Sequence, residues 1–156
     1  MPEDRISHRA PWECTFAKEQ RSRCLPGKKP RTDHEYFEVL SLCILQAGLS
    51  WASVRRSWPR YRSAFLNFEI AKVAHATPAA LLRRPGALRN PKKVAALVAN
   101  AQEFERIRAE HGTFASYLRT VKSGNCCTIL HKRFRHVGPY TAEFYLHCVG
   151  RSVYGP

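Results

Sequence analysis

The chain has 156 residues, of which 44% are hydrophobic, and it carries 26 Lys and Arg against 12 Asp and Glu, a formal net charge of +14. This length fits one domain around a single core. No apolar run approaches the roughly 20 residues that span a bilayer, and residues 1–10 lack the apolar stretch of a signal peptide. These features argue against a membrane-spanning or exported protein, and we expect an intracellular one, in the cytoplasm of a bacterium or the nucleus of a eukaryote.

The basic residues are concentrated in three acid-free stretches, residues 39–68, 70–102 and 111–142. Such stretches favour a polyanionic partner, because each phosphate that is neutralised releases condensed counterions. We therefore place nucleic acid first among the possible partners. A solvated basic surface without a specific partner is the plainer interpretation of the same charge.

The six cysteines are predicted to be free thiols, since a chain expected inside the cell rarely carries a disulfide framework. None of them forms a CxxC pair, and no histidine stands at a close metal-ligand spacing from them. We predict no metal ion and no cofactor.

Residues 1–31 contain several prolines among basic residues and no sustained apolar period. This composition predicts an irregular basic arm, followed by a single helical domain over residues 32–156. Trp12 and Phe16 are the side chains of the arm that would gain most by docking on that domain.

Helix signals begin at Thr32, which forms a capping box with Glu35, and apolar residues recur at helical spacing until Gly48. Ser50 is predicted to cap a short helix over residues 51–57. Pro59 is predicted to start a separate helix, because its missing N–H costs nothing in a first turn.

Pairs of an N-cap residue and a proline recur at residues 77–78 and 90–91, the second opening a long helix, and Thr113 caps the next helix. A break at residues 123–125 and a tight turn at residues 137–139 delimit the last two helices. No segment alternates with period two. The sequence predicts an all-α fold, a compact bundle of seven or eight helices that ends in a helix-hairpin-helix element.

The hairpin has the sequence FRHVGPYTA, residues 134–142, in which Val137 is the apolar residue before the turn. Gly138 would permit a tight backbone and expose amide N–H groups to a phosphate at the start of the second helix. Pro139 fits the first turn of that helix, and Thr141 offers a hydroxyl. The basic residues that flank the turn as predicted phosphate contacts are Lys132, Arg133 and Arg135. An ordinary corner of a helical bundle is the alternative.

A more distinctive string, QAGLSW, occupies residues 46–51. Three weaker motifs accompany it: Phe37-Glu38, Trp58-x-x-Tyr61-Arg62-x-Ala64-Phe65-x-x-Phe68 and Lys93-Val94-x-Ala96-x-x-x-Asn100-Ala101. Together they resemble the 3-methyladenine DNA glycosylase I family of helix-hairpin-helix glycosylases, over about residues 33–150. The resemblance implies a fold that flips a methylated purine out of the duplex and hydrolyses its N-glycosidic bond in base-excision repair.

The resemblance implies that Trp51 stacks on the extruded base and that Gln46 lies beside the base pocket. The pocket glutamate of the family corresponds to Cys43, a neutral residue that would do less for a cationic base. An aromatic residue of the family's N-terminal motif has no clear counterpart, and Trp12 or Phe16 would substitute for it. Without the surrounding string, Trp51 and Cys43 would each suit a hydrophobic core.

Other family features are missing from the sequence. The zinc ligands that the resemblance would require are not reproduced. Broader helix-hairpin-helix glycosylases place a catalytic aspartate after the hairpin, and residues 139–156 contain none; either that segment lies beyond residue 156 or that mechanism does not apply. No lysine lies in QAGLSW or in the turn, so we predict water as the nucleophile and no strand cleavage.

We therefore expect a monomeric N-glycosylase acting on double-stranded DNA with alkylated bases. A degenerate glycosylase fold that binds DNA or DNA damage without base excision is the alternative, and binding to structured RNA is a third.

Overall fold

The structure, a computed structural model, describes residues 28–151, so the predictions for Trp12 and Phe16 lie outside the described residues. Within this range the chain forms eight α-helices and no strand, which confirms the predicted all-α fold. The helices are α1 (Asp33–Gln46), α2 (Trp51–Ala64), α3 (Ile70–Ala74), α4 (Pro78–Leu82), α5 (Pro91–His111), α6 (Phe114–Thr120), α7 (Cys126–Arg133) and α8 (Pro139–Cys148). Within the described part, no helix has both the length and the apolar character needed to cross a bilayer.

The predicted N-caps are confirmed. The Thr32 hydroxyl accepts a hydrogen bond from the Glu35 amide at 3.2 Å, and the Ser50 hydroxyl accepts one from the Ser53 amide at 3.1 Å. Asn90 caps the long helix α5 in the same way. Each cap satisfies one of the amides that a helix start leaves without a partner.

The predicted break at Pro59 is wrong. Helix α2 runs through this proline without interruption from Trp51 to Ala64. A proline inside a helix removes one hydrogen bond and crowds the preceding turn. Val54 and Tyr61 on the same helix are buried in the core, and this packing outweighs the local cost.

Aromatic packing around Phe104 forms the centre of the core. This side chain of α5 is completely buried and contacts three other rings, with centroid separations between 4.5 and 5.4 Å. The three rings belong to Phe37, Phe114 and Phe134. Because these residues come from α1, α6 and the end of α7, the long helix α5 is the element on which the others are assembled.

A left-handed turn connects α2 to α3. Leu66, Asn67 and Phe68 have φ values of 60°, 56° and 53°, a region that non-glycine residues rarely occupy. Phe68 is fully buried, as is Phe65 just before the turn. Burial of these two rings holds the strained backbone in place.

Candidate functional site

The QAGLSW segment (residues 46–51) forms a short turn between α1 and α2. Gly48 has a φ of +84°, which a side chain would strain. The Gln46 side-chain amide donates a hydrogen bond to the Leu49 carbonyl at 2.9 Å and so braces the turn from inside. Leu49, which lies in this turn, is 36% exposed. The structure therefore gives Gln46 a bracing contact within the loop that the sequence did not indicate.

Trp51, the first residue of α2, connects this segment to the hairpin. Its ring is partly buried and stacks on Phe144 of α8, with centroids 5.7 Å apart and an interplanar angle of 29°. Phe144 in turn stacks on Tyr140, at 6.5 Å and 15°. Trp51 at the end of the QAGLSW segment and Phe144 on the helix after the hairpin, more than 90 positions apart in sequence, thus pack against each other. Sequence reasoning missed Tyr140 and Phe144, although two aromatic residues four positions apart on the helix after the hairpin are a usable signal.

The hairpin turn is tight, but the glycine is not the residue that makes it so. His136 adopts the left-handed conformation, with a φ of 60°, whereas Gly138 has a φ of −74° that any residue can adopt. The expectation that Gly138 permits the backbone turn is corrected accordingly. Apart from Gly138 itself and its two chain neighbours, no heavy atom lies within 4 Å of the position that a Cβ would occupy there, and this N-cap position offers no side-chain hydrogen bond to α8. Gly138 therefore leaves the first turn of α8 open to a ligand.

Two polar side chains hold the hairpin backbone. Asn100 of α5, only 1% exposed, accepts a hydrogen bond from the Arg135 amide at 2.8 Å and donates one to the Arg135 carbonyl at 3.1 Å. His131 Nδ1 lies 2.8 Å from the Val137 carbonyl, to which it donates. The Val137 side chain is buried beneath the turn. Side chains of α5 and α7 therefore hold the hairpin backbone through hydrogen bonds.

Lys93 holds the QAGLSW segment through hydrogen bonds to the main chain. This lysine of α5 is 8% exposed, and its ammonium donates to the Leu45 carbonyl at 2.9 Å and to the Ala47 carbonyl. Burial lowers the pKa of Lys93. Lys93 and Asn100 are two turns apart on the same helix. This spacing explains physically why both belong to the motif that starts at Lys93: one helix positions the QAGLSW segment and the hairpin together.

The basic residues of the hairpin fall into two groups. Lys132 and Arg135 are exposed and take no part in an ion pair within residues 28–151. Arg133 instead pairs with Glu103 and Glu110, which neutralises its charge. Desolvation alone would raise the pKa of Glu103, but the hydrogen bonds and charges of its arginine partners outweigh it and lower that pKa. Arg133 thus forms a structural ion pair, whereas Lys132 and Arg135 remain exposed to solvent.

Cys43, the predicted counterpart of a pocket glutamate, is 3% exposed and belongs to the hydrophobic core. It lies near the Tyr145 hydroxyl, which donates to the Tyr36 carbonyl at 2.9 Å. Burial raises the pKa of Tyr145 well above its ordinary value. The position that the resemblance assigns to a glutamate is therefore occupied by a buried thiol in the hydrophobic core.

The four cysteines that lie in the described part of the chain are free thiols. In that same part no three His, Cys, Asp or Glu side chains converge as a metal site.

A cleft of about 640 Å³ lies elsewhere, between residues 28–31, α1 and α2. Its wall carries Glu38, whose carboxylate accepts a hydrogen bond from the Trp58 indole at 2.9 Å and lies 3.3 Å from the Arg62 guanidinium. Burial raises the pKa of Glu38, although both partners act in the opposite direction. No residue of the QAGLSW segment or of the hairpin lines this cleft, so it is separate from the face described above.

Comparison with known proteins identifies relatives of this chain in sequence and in fold. The family model described as methyladenine glycosylase matches residues 27–143. DNA-3-methyladenine glycosylase of Haemophilus influenzae is 35% identical over 81 residues, 50% of this chain and 44% of that protein. DNA-3-methyladenine glycosylase 1 of Escherichia coli K12 is 30% identical over 93 residues, 57% of this chain and 50% of that protein. The chain thus spans about half the length of the curated relatives it matches.

Solved structures extend the comparison to most of the chain. The structure of 3-methyladenine DNA glycosylase I from Staphylococcus aureus has a TM-score of 0.70 and 25% identity, over 81% of this chain and 80% of that one. A solution structure of 3-methyladenine DNA glycosylase I matches over 94% of this chain and 92% of that one, with a TM-score of 0.67 and 21% identity, which supports the fold alone. Because the family model covers three quarters of the sequence, from residue 27 to residue 143, this chain belongs to the methyladenine glycosylase family.

Proposed function

We propose that the chain is a monomeric DNA N-glycosylase that removes alkylated purines of the 3-methyladenine type from double-stranded DNA in base-excision repair. The observation that carries the proposal is the stacking of Trp51 on Phe144. This contact joins the string most specific to the family with the hairpin, so that one face presents an aromatic ring for a base and amides for a phosphate. Family membership supplies the reaction class.

DNA binding follows from the hairpin. The open first turn of α8 presents backbone N–H groups and the positive end of the helix dipole to a phosphate. Gly138 has no side chain to block the approach, and Lys132 and Arg135 are exposed beside it. Such contacts fix the position of the duplex without reading its sequence.

Base excision would use Trp51 and water. Extruding a base costs a few kcal/mol of stacking, and an aromatic ring returns about 1 to 3 kcal/mol, more for a cationic base. Phe144 covers one face of Trp51, so the base would take the opposite one. The glycosidic electron pair leaves with the purine and cancels its positive charge, while water adds to C1′ and releases a proton. Because the leaving group is already activated, a neutral Cys43 is compatible with this step.

The structure supports the proposal that no strand cleavage accompanies base release. Lys93 is the lysine that the fold brings under the QAGLSW segment, and its amine is bonded to two backbone carbonyls. An amine held in this way is not placed to attack C1′ as a Schiff-base nucleophile. The expected product is an intact strand with an abasic site.

Release of 3-methyladenine from methylated duplex DNA tests the proposal. The wild-type chain should release the base, and Trp51→Ala should slow release by about 5- to 150-fold. Trp58→Phe is the matched control, since this tryptophan lies two turns further along α2 in the separate cleft, and it should change the rate little. Undetectable release at high enzyme concentration would contradict the proposal.

A second candidate function is a degenerate glycosylase that binds damaged DNA without cutting. The burial of a neutral Cys43 at the pocket position favours it. In that case the chain would bind alkylated or abasic DNA tightly without turnover, and Cys43→Glu would not restore base release. Base release by the wild-type chain decides for the first candidate.

A further inference from the structure

The loop between α4 and α5, residues 83–90, is fixed against the solvent-facing side of α2. Gly86 has a φ of +82°, and a Cβ at this position would lie 3.0 Å from the Arg60 Cβ of α2. The Arg84 guanidinium donates a hydrogen bond to the Ser63 carbonyl in the last turn of α2 at 3.1 Å. Arg60 and Ser63 are both exposed. The loop and α2 therefore form one continuous surface, although they come from different parts of the chain.

This surface is basic and its charge is not neutralised. Residues 39–102 contain a single acid, Glu69, which pairs with Lys72 at 2.7 Å. Five arginines of the surface are exposed and take no part in an ion pair within residues 28–151: Arg56, Arg60, Arg83, Arg84 and Arg89. We call these five residues the second basic surface. Cations concentrated in this way attract a polyanion, which releases its counterions on binding.

Helix α5 relates the second basic surface to the QAGLSW segment and to the hairpin. Asn100 bonds to the hairpin, Lys93 bonds to the QAGLSW segment, and the loop over residues 83–90 joins the helix at its N-cap, Asn90. At about 1.5 Å per residue, Lys93 lies about 10 Å from Asn100 and about 5 Å from Asn90 along the axis. The attachment point of the QAGLSW segment therefore lies between that of the hairpin and that of the basic loop.

We infer that the second basic surface contacts the sugar-phosphate backbone of duplex DNA, on the opposite side of the extruded base from the hairpin. The inference rests on the proposed function, because it takes Trp51 as the place where the base is held. Arg60 follows Trp51 by nine residues on α2, about 13 Å along the helix. Base pairs repeat every 3.4 Å or so. The contact is therefore expected about four base pairs from the extruded base.

The composition of the surface favours nucleic acid over an acidic protein partner. A protein interface is usually centred on large apolar or aromatic side chains that become buried on binding. The exposed large hydrophobic residues within residues 28–151 are Leu49 and Tyr140, and neither belongs to the second basic surface. Guanidinium groups match the geometry of phosphate oxygens, and such contacts position a duplex without reading its sequence.

The test removes two charges from this surface and, as a matched control, two charges from another part of the chain. The test variant combines Arg56→Gln with Arg60→Gln, and the control combines Arg119→Gln with Lys122→Gln. Arg60 and Arg119 each donate to a serine hydroxyl three residues earlier at 3.0 Å, and all four side chains are exposed. The control residues follow the far end of α5, which is about 30 Å long.

The probe is a duplex with a central tetrahydrofuran abasic analogue, and its Kd is measured by fluorescence anisotropy between about 50 and 200 mM salt. The test variant should bind about 5- to 50-fold more weakly than the wild-type chain near 0.1 M salt. The slope of log affinity against log salt should become less steep by about 2, because each phosphate contact contributes about 0.9. The control should keep the wild-type slope, and both variants should keep the wild-type thermal melt because the side chains are exposed.

Two further probes, each truncated to two base pairs on one side of the analogue, locate the contact. Truncation on one side should abolish the difference between the wild-type chain and the test variant, whereas truncation on the other side should preserve it. A difference that survives both truncations would overturn the inference.

The salt titration can also overturn the inference while leaving the proposed function intact. Equal slopes for the wild-type chain and the test variant would do so, and this is the result expected if the surface serves an acidic protein. An equal loss of affinity in the test variant and the control would do so as well, since it would reflect net charge alone. Failure of the wild-type chain to bind the full-length probe would overturn the proposed function together with the inference.

Discussion

Replacing Asn100 with alanine should loosen the hairpin while leaving the rest of the helical bundle folded. The substitution removes two hydrogen bonds between the side chain and the main chain of Arg135. Each is worth about 1 kcal/mol net, so we expect the free energy of unfolding to fall by about 2 kcal/mol. For a chain of this length that change lowers the Tm by about 4 to 8 °C. Affinity for duplex DNA should fall by at most about 30-fold. This is the factor by which a loss of about 2 kcal/mol would lower the population of the hairpin conformation that binds DNA.

Gln102→Ala is the matched control for this experiment. Gln102 lies on the same helix, and its side-chain amide donates to the Ala74 carbonyl at 3.1 Å, away from the hairpin. It should cost about 1 kcal/mol of stability and leave DNA affinity unchanged. Thermal denaturation and DNA titration well below both Tm values separate the two effects. If Asn100→Ala were folded and bound DNA as tightly as the Gln102 variant, the DNA-binding conformation of the hairpin would not depend on the two hydrogen bonds of Asn100. That result would refute the prediction.

Three further predictions concern residues outside the hairpin. Lys93→Met keeps the packing of the lysine stem and removes the ammonium that holds the QAGLSW segment. The variant should release the base more slowly in a single turnover with little change in the Kd for DNA, and an unchanged rate would contradict the role of Lys93 in positioning this segment. Glu38→Gln tests a pH effect. Because the pKa of Glu38 is raised, the native state binds this proton more tightly than the unfolded chain does. The contribution of Glu38 to the free energy of unfolding should therefore fall as pH rises above about 4.5. Urea unfolding from about pH 4 to 7 should show that slope in the wild-type chain relative to the glutamine variant, and parallel curves would exclude it. Asn67 is exposed and has a left-handed backbone conformation, so Asn67→Val should lower the free energy of unfolding by about 1 to 2 kcal/mol, whereas Asn67→Gly should change it by less than about 0.5 kcal/mol. Equal unfolding midpoints for the two variants would show that the turn is not strained.

Features that depend only on neighbouring residues could be predicted from the order of amino acids. An N-cap acts within three residues of its own position, so Thr32, Ser50 and Asn90 are identifiable from the order of residues alone, and each caps as predicted. The all-α fold follows from the same local signals and from the absence of period-two alternation. The QAGLSW string likewise indicated the family, because it is a continuous string and does not depend on distant contacts.

Features that depend on contacts between distant residues became visible only in the folded chain. Helix α2 continues through Pro59 because core packing outweighs a local penalty, and Arg133 is neutralised by Glu103, which lies 30 positions earlier. The contact between Trp51 and Phe144 joins residues more than 90 positions apart. Local propensity carries no information about such pairs, because they form only when burial of apolar side chains brings the helices together. For this reason the two motifs could be recognised separately in the sequence, but the contact between Trp51 and the helix after the hairpin could be seen only in the folded chain.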